Sequence, residues 1–344
     1  MKHILLISMP CGTGHVHASE AIASFSKQYP NLKITHLRAE DYISNFDQFF
    51  HFRFYNFIKQ HVPFVWDVIY KLARTRCFSF FVRFLNDTFC THSNKFNKKL
   101  EGINPDVIIC TYFGLLSMVA PYVKEKNTPL GSVLTDFEGL PMYLHNQVST
   151  YFVPSAEAKK DIHRFTRESE CIVSGIPVNS KFFDAQKKSR DAIKRNLSLP
   201  QDKKIILVVA STYTKKEIDQ CIKNLSNDYF VIAVDADSEI TTRSFIKKER
   251  TDEINKYMAI ADCIISKPGG LIASEIIALQ KPAVFYKPIA GQEKANQAIL
   301  IKSHGFVACD NLSQIKQDVL QAIQNKKQTP VKKPAAEIIL DYYC

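Results

Sequence analysis

The chain predicts an α/β protein built on parallel sheets and divided into two domains. Short β-rich runs alternate with helical stretches along nearly all of its length, the pattern of parallel α/β layers. Its 344 residues are long for one core and comfortable for two. Hydrophobic residues make up 46% and charged residues 23%, a globular balance that excludes a disordered chain. No apolar run reaches the roughly 18–20 residues that span a bilayer.

The elements follow in order. "MKHILLISMP" has one lysine and an apolar core too short for a secretion signal, and it runs into a glycine-rich turn, so it reads as the first strand. "LKITHL", "DVIICT", "LGSVLTD", "TYFVPS" and "CIVSGIPV" supply the other strands of the first half. The polar stretch "DAQKKSRDAIKRNLSLPQDKK" marks the seam, giving an N-terminal domain over 1–175 and a C-terminal domain over 176–330. "KIILVVA", "YFVIAVD", "DCIIS" and "PAVFYK" are strands of the second half. The tail 331–344 is basic and Pro-containing, then apolar, and is expected to cross back to the first domain.

Residues 43–90 break this rhythm with a dense aromatic segment. Phe46, Phe49, Phe50, Phe54, Phe57, Ile58 and His61 share one face at helical spacing, and Pro63 ends that helix. The next helix carries Phe64, Val65, Val68, Ile69 and Leu72 on one side and Trp66, Tyr70 and Arg74 on the other. Rings on more than one face exceed what a single packed interface buries. With Trp, Tyr and Arg beside them they suit helices lying in a lipid headgroup layer; packing onto the sheet is the alternative for at least one face. The 45 Lys and Arg against 34 Asp and Glu give +11, an excess that favours an anionic partner. Helical periodicity in the aromatic segment argues against a stacking platform for nucleic acid. The nine cysteines show no metal or disulfide spacing and point to a reducing compartment.

Three constellations carry chemistry. In "MPCGTGHVHASEAI", Gly12 and Gly14 permit a strand-to-helix turn, a pattern that alone recurs in many α/β proteins. His15 opens the helix, where the dipole favours a neutral imidazole able to act as general base or to hold an acceptor hydroxyl. In "VLTDFEGLP", Asp136 stands at the carboxyl end of a strand, where ligands of open sheets bind; it can orient His15, receive a proton or cap a turn. In "CIISKPGGLIASEIIALQKPAVFYKPIAGQEKANQAI", Gly269, Gly270 and Leu271 begin a helix with bare N–H groups that suit a diphosphate. Glu275 lies where a carboxylate can reach ribose hydroxyls. Gln292 and Glu293, expected on a loop, and Asn296 one turn later offer the amides and carboxylate that a hexose needs.

These residues resemble the GT-B glycosyltransferases of the family that holds diacylglycerol glycosyltransferases (monogalactosyl- and processive glucosyl-diacylglycerol synthases) and the peptidoglycan N-acetylglucosaminyltransferase. The resemblance covers most of the chain and rests on "GTGHVHASEAI", "TDF", "YFVPSAEAKKDI", "VSGIPVNSKFF" and above all "KPGGLIASEIIALQKPAVFYKPIAGQEKANQAILI". It implies two Rossmann-like domains facing across a cleft. The C-terminal one would bind a UDP-sugar through Gly269, Gly270 and Glu275, with Gln292 and Glu293 on the sugar and a loop at Phe245–Lys248 near the uracil. His15 would be the catalytic or acceptor-site histidine, and either His15 or Asp136 the base. Such enzymes invert the anomeric centre without a bound metal or other cofactor, because helix N-termini stabilise the leaving diphosphate. Phe64, Trp66, Tyr70, Arg74 and Gly14 would serve acceptor and membrane.

Two departures stand out. The family's Gly-rich loop after the first strand of the second domain reads "VVASTYTKKEID", leaving Ser211, Thr212 and Lys215 to meet phosphate by side chain. The family's His and Trp after "TDF" fall on Leu140 and Tyr143. The reading is therefore an inverting transfer of a hexose from a UDP-sugar to a membrane lipid, foremost diacylglycerol. The protein would sit in the cytoplasm, peripheral on the inner face of an anionic membrane. A polyprenyl-linked or soluble acceptor, or a non-catalytic UDP-sugar-binding protein, are the alternatives.

Overall fold

The computed structural model describes residues 1–42, 62–89, 94–166, 168–325 and 331–344. The expected aromatic face Phe46–His61 lies outside the described residues. Two compact units divide the chain. One comprises Met1–Asn179, Ile289–Ala295 and Lys333–Cys344; the other comprises Ser180–Pro288 and Asn296–Lys332.

The first unit holds a six-stranded sheet of β1 (Lys2–Ser8), β2 (Leu32–Arg38), β3 (Val107–Cys110), β4 (Leu130–Val133), β5 (Thr150–Val153) and β6 (Glu170–Val173). Their order is β2-β1-β3-β4-β5-β6, with every pairing parallel. Near-continuous apolar runs such as "HILLIS" and "VIIC" suit strands covered on both faces, and Ile4–Ile7 and Ile108–Cys110 are fully buried. The strand order reverses between β1 and β3, so their carboxyl ends open a crevice rather than a crossover. The last helix, Ala335–Tyr343, docks on this unit. Tyr29 Oη donates to Asp341 Oδ1 at 2.7 Å and Tyr342 Oη donates to Glu170 Oε2 at 2.9 Å.

The second unit holds β7 (Ile205–Val209), β8 (Phe230–Val234), β9 (Phe245–Lys248), β10 (Cys263–Ser266), β11 (Ala283–Tyr286) and β12 (Val307–Cys309). Their order is β12-β11-β10-β7-β8-β9, again parallel throughout. This is the doubly wound order, with its switch point between β7 and β10. Two of these strands were not expected. β12 is three residues long, and β9 is a short strand at the edge of the sheet whose last two residues are lysines. The stretch Phe245–Lys248, expected as a loop, is β9 itself. Phe245 is buried in the second core.

Candidate active site

His15 is the third residue of the helix Thr13–Ser24 that follows β1. The turn into that helix needs glycine at position 12. Gly12 has φ +84°, a region costly for any other residue, while a Cβ there would meet nothing within 4 Å. Gly14 lies in the first turn of the same helix.

Thr111, just past β3, grips His15 at two points. Its carbonyl lies 2.7 Å from His15 Nδ1, and its Oγ1 donates to the His15 carbonyl at 2.8 Å. Ser19 Oγ lies 3.0 Å from Thr111 Oγ1 and steadies that hydroxyl. A carbonyl only accepts, so Nδ1 carries the proton, and in the neutral ring Nε2 holds the lone pair that a general base uses. Thr135 Oγ1 sits 3.1 Å from the same Nδ1, and the Tyr112 ring meets the imidazole edge-on at 4.9 Å. The sequence reading missed Thr111 and Thr135. Thr111 follows β3 and Thr135 follows β4, and what brings them to His15 is the order of those strands beside β1, which no local pattern carries.

These groups open on a cavity of about 240 Å³ within the first unit. His15, Thr111, Thr135, Asp136 and Gln292 are polar groups of its lining; Trp66, Ile69, Phe78, Met142 and Tyr143 are among its apolar walls. Tyr143 Oη is 3.4 Å from Asp136 Oδ2. Leu140 is buried in the core.

The helix Pro63–Leu72 reverses part of the sequence reading. Trp66 and Tyr70, expected at a lipid surface, face inward onto the cavity. Tyr70 Oη donates to Glu138 Oε2 at 2.8 Å, and Arg74 clamps the same carboxylate through Nε and Nη2 at 2.8 and 3.1 Å. Burial beside Asp136 and Glu138 pushes the Tyr70 hydroxyl far above the usual phenol range. The outer side is Phe64, Val65, Val68 and Leu72, with Phe64 77% exposed; Phe80, Phe81 and Phe84 of the helix Arg76–Phe89 are also exposed. No helix among the described residues is long and apolar enough to cross a membrane.

Gln292 and Glu293 begin the helix Gln292–His304 rather than lie on a loop. Glu293 Oε2 accepts the Ile289 N–H at 2.7 Å and so closes the turn before the helix. Asn296, one turn later, is fully buried.

In the second unit, the helix Gly270–Ala278 starts at the carboxyl end of β10 with no side-chain cap and no acid in its first turn. A Cβ at Gly269 would touch only Ile272, at an ordinary 3.5 Å, so packing does not demand glycine there. Leu271 and Glu275 follow, both half-buried. Burial pushes the Glu275 carboxyl up to about 8, with Lys181 pulling the other way. Ser211 and Thr212 are exposed on the turn after β7. The next helix, Lys215–Leu225, is closed by a capping box between Thr214 and Glu217. Burial opposes the Glu217 charge, yet Lys287, Thr214 and Tyr286 hold its carboxyl down at about 2. Lys215 pairs with Glu239.

Residues 15–178 match the family described as monogalactosyldiacylglycerol (MGDG) synthase. This segment is a domain of the MGDG synthase family. Along 99% of its length the chain is 24% identical to a processive diacylglycerol β-glucosyltransferase of Bacillus pumilus, covering 94% of that protein. The MurG structure of Acinetobacter baumannii superposes with a TM-score of 0.57 at 12% identity, over 99% of each chain. HepE of Anabaena, solved with UDP and glucose, gives 0.54 at 12% identity over 99% of this chain and 95% of its own. The fold is that of the GT-B glycosyltransferases. The MGDG synthase segment contains His15, Thr111, Thr135 and Asp136, every polar group of the cavity named above except Gln292.

Proposed function

We propose that the protein transfers a hexose from a UDP-sugar to the free hydroxyl of diacylglycerol, with inversion at the anomeric carbon. The observation that carries this reading is the His15 tautomer. An imidazole whose Nδ1–H is tied to the Thr111 carbonyl offers Nε2 as a base beside an apolar cavity. In the proposed step Nε2 takes the acceptor hydroxyl proton, the oxygen attacks the anomeric carbon, and the bond to the diphosphate breaks, releasing UDP. The cavity's apolar walls would take the glycerol end of the lipid, with Gln292 beside it. The outer surface of Phe64, Val68 and Leu72 would rest in the leaflet that supplies that lipid.

The donor belongs to the second unit in this reading. The uncapped helix start at Gly269–Leu271 would receive the diphosphate and Glu275 the ribose, while Ser211 and Thr212 remain available on the neighbouring turn. The Glu275 carboxyl, raised by burial, is matched by a ligand that donates two hydroxyls to it. Support also comes from the relatives: a diacylglycerol glucosyltransferase in sequence, and a UDP complex in fold. A cytoplasmic, peripheral location on an anionic membrane surface completes the proposal. The test is a donor screen with diacylglycerol vesicles, reading the lipid product by mass spectrometry and its anomeric configuration by NMR. Turnover with a soluble acceptor alone would contradict it.

A further inference from the structure

Behind the wall of the His15 cavity stands a carboxylate that the transfer step does not use. Glu138 belongs to the segment Thr135–Gly139 that follows β4. Thr135 and Asp136 of that segment line the cavity, and Glu138 does not. Its side chain is only 17% exposed, and it is held from one direction. Arg74 grips it as a fork, Nε on Oε1 and Nη2 on Oε2, and Tyr70 Oη donates to the same Oε2. The Arg74 guanidinium also lies 5.7 Å from the centre of the Tyr70 ring, so the three side chains touch one another.

The segment is anchored at both ends. The Leu134 N–H donates to the Phe152 carbonyl at 2.9 Å. Gly139 lies so close to the helix Ala156–His163 that a Cβ would stand 2.8 Å from the Ala158 carbonyl oxygen. Between these anchors Phe137 is buried, and Thr135 Oγ1 reaches to 3.1 Å from His15 Nδ1. The bonds to Glu138 add a third anchor. They join the polar side of the cavity to the helix whose Trp66 and Tyr70 form part of its other wall.

We propose that Glu138 is a positioning residue for the transfer. It holds Thr135 and Asp136 against His15, and it makes their placement depend on the helix that receives the lipid. A forked ion pair fixes one arrangement of its two elements, which is the service such a pair gives beyond its small net stability. Glu138 acts through Asp136 and Thr135 and touches no reacting atom. The inference rests on the transfer reading given above.

The experiment combines kinetics on diacylglycerol vesicles with NMR of the full chain, labelled at histidine rings and threonine methyls. Glu138→Gln and Arg74→Gln should each lower kcat by about 10–100-fold, the range that a displacement of roughly 1 Å costs. The KM for the UDP-sugar should stay within about twofold. The two substitutions change the local charge in opposite directions, so a shared loss marks geometry, whereas a field effect alone moves kcat oppositely. The double variant R74Q/E138Q should be about as slow as either single one, because both break the same pair. Arg74→Lys keeps the cation without the fork and should recover part of the loss. The control Lys126→Gln breaks an exposed pair with Glu125 and should leave kcat within about twofold. In NMR, Glu138→Gln and Arg74→Gln should shift the His15 ring and Thr135 methyl signals and leave those of His36, on β2, in place. Should Glu138→Gln fail to fold, Tyr70→Phe takes its place: it removes one donor from the carboxylate, keeps the ring, and should lower kcat severalfold with the same signals shifted. A lower Tm with kcat of the folded variant unchanged overturns the proposal, as do opposite responses of Glu138→Gln and Arg74→Gln. So does transfer by wild type with no shift at His15 in either variant. Absence of any hexosyl lipid from wild type, with the NMR shifts present, overturns the transfer reading and leaves the placement of Thr135 by Glu138 standing.

Discussion

Gly291 and Tyr70 meet in the first unit with no room for a side chain between them. A Cβ on Gly291 would lie 2.9 Å from Tyr70 Cγ and 3.1 Å from Trp66 Nε1, and Gly291 has φ +79°. The Asp67 carboxylate on the same helix is held below the usual range by Lys71 and, more weakly, by Lys294 and the Gly291 N–H. The helix that bears the outer phenylalanine thus fixes the backbone one residue before Gln292. Gly291→Ala combines a left-handed backbone with a steric clash, costs of about 1–3 kcal/mol together. We expect a Tm lower by a few degrees and a transfer rate reduced by about tenfold or more, with UDP affinity unchanged, read by scanning calorimetry and steady-state kinetics.

His15→Ala should lower kcat by about 10²–10⁴, the range for losing a general base. UDP affinity should stay within twofold, because the donor residues lie in the other unit. Thr135→Val removes one of the two oxygens near Nδ1 and leaves the Thr111 carbonyl in place, so its loss should not exceed about tenfold. Rapid-quench single turnovers separate these effects from product release.

Glu275 makes a pH prediction for both binding and stability. Its carboxyl is raised by burial to about 8, against about 4.3 in an unfolded chain. Between those values the folded protein holds a proton that the unfolded chain has lost, so stability falls as pH rises through that window. Glu275→Gln should therefore raise Tm at pH 8–9 and make no difference below about pH 4. Ribose hydroxyls select the ionised carboxylate. UDP affinity should rise from pH 7 to about 8 and then level, with proton release on binding. The UDP phosphate, with a second pKa of about 6, is ionised throughout this range. In Glu275→Gln the affinity should be lower and flat with pH, measured by calorimetry in buffers of different ionisation heat.

The two faces of the helix Pro63–Leu72 should separate in experiment. Phe64→Ser with Phe80→Ser removes exposed rings and should weaken vesicle binding by about tenfold or more while leaving the cavity intact. Trp66→Ala should raise the KM for the lipid acceptor and leave vesicle partitioning within about twofold. Co-sedimentation and kinetics on mixed vesicles read the two effects.

That division of faces shows what the sequence could and could not disclose. Helical spacing put Trp66 and Tyr70 on one side and Phe64 and Val68 on the other, as the structure has them. Spacing does not say which side is inside. Gly291 and Glu138 decide that, and they arrive from distant parts of the chain. Strands such as "HILLIS" and "KIILVVA" were legible because parallel strands buried on both faces are apolar throughout. β9, with two lysines in four residues, and the three-residue β12 carry no such signature, which is why Phe245 read as loop. His15 and the Gly269–Gly270 helix start were visible as local punctuation. Thr111 was not, because its role depends on β3 lying beside β1.

The most direct test is the lipid product itself. Purified protein is incubated with a UDP-hexose and diacylglycerol vesicles, and the lipid extract is weighed by mass spectrometry against UDP released. The account predicts diacylglycerol carrying hexose, formed in step with UDP and lost in His15→Ala. UDP-sugars that neither bind nor yield any hexosyl lipid, across the common hexose donors, would contradict it.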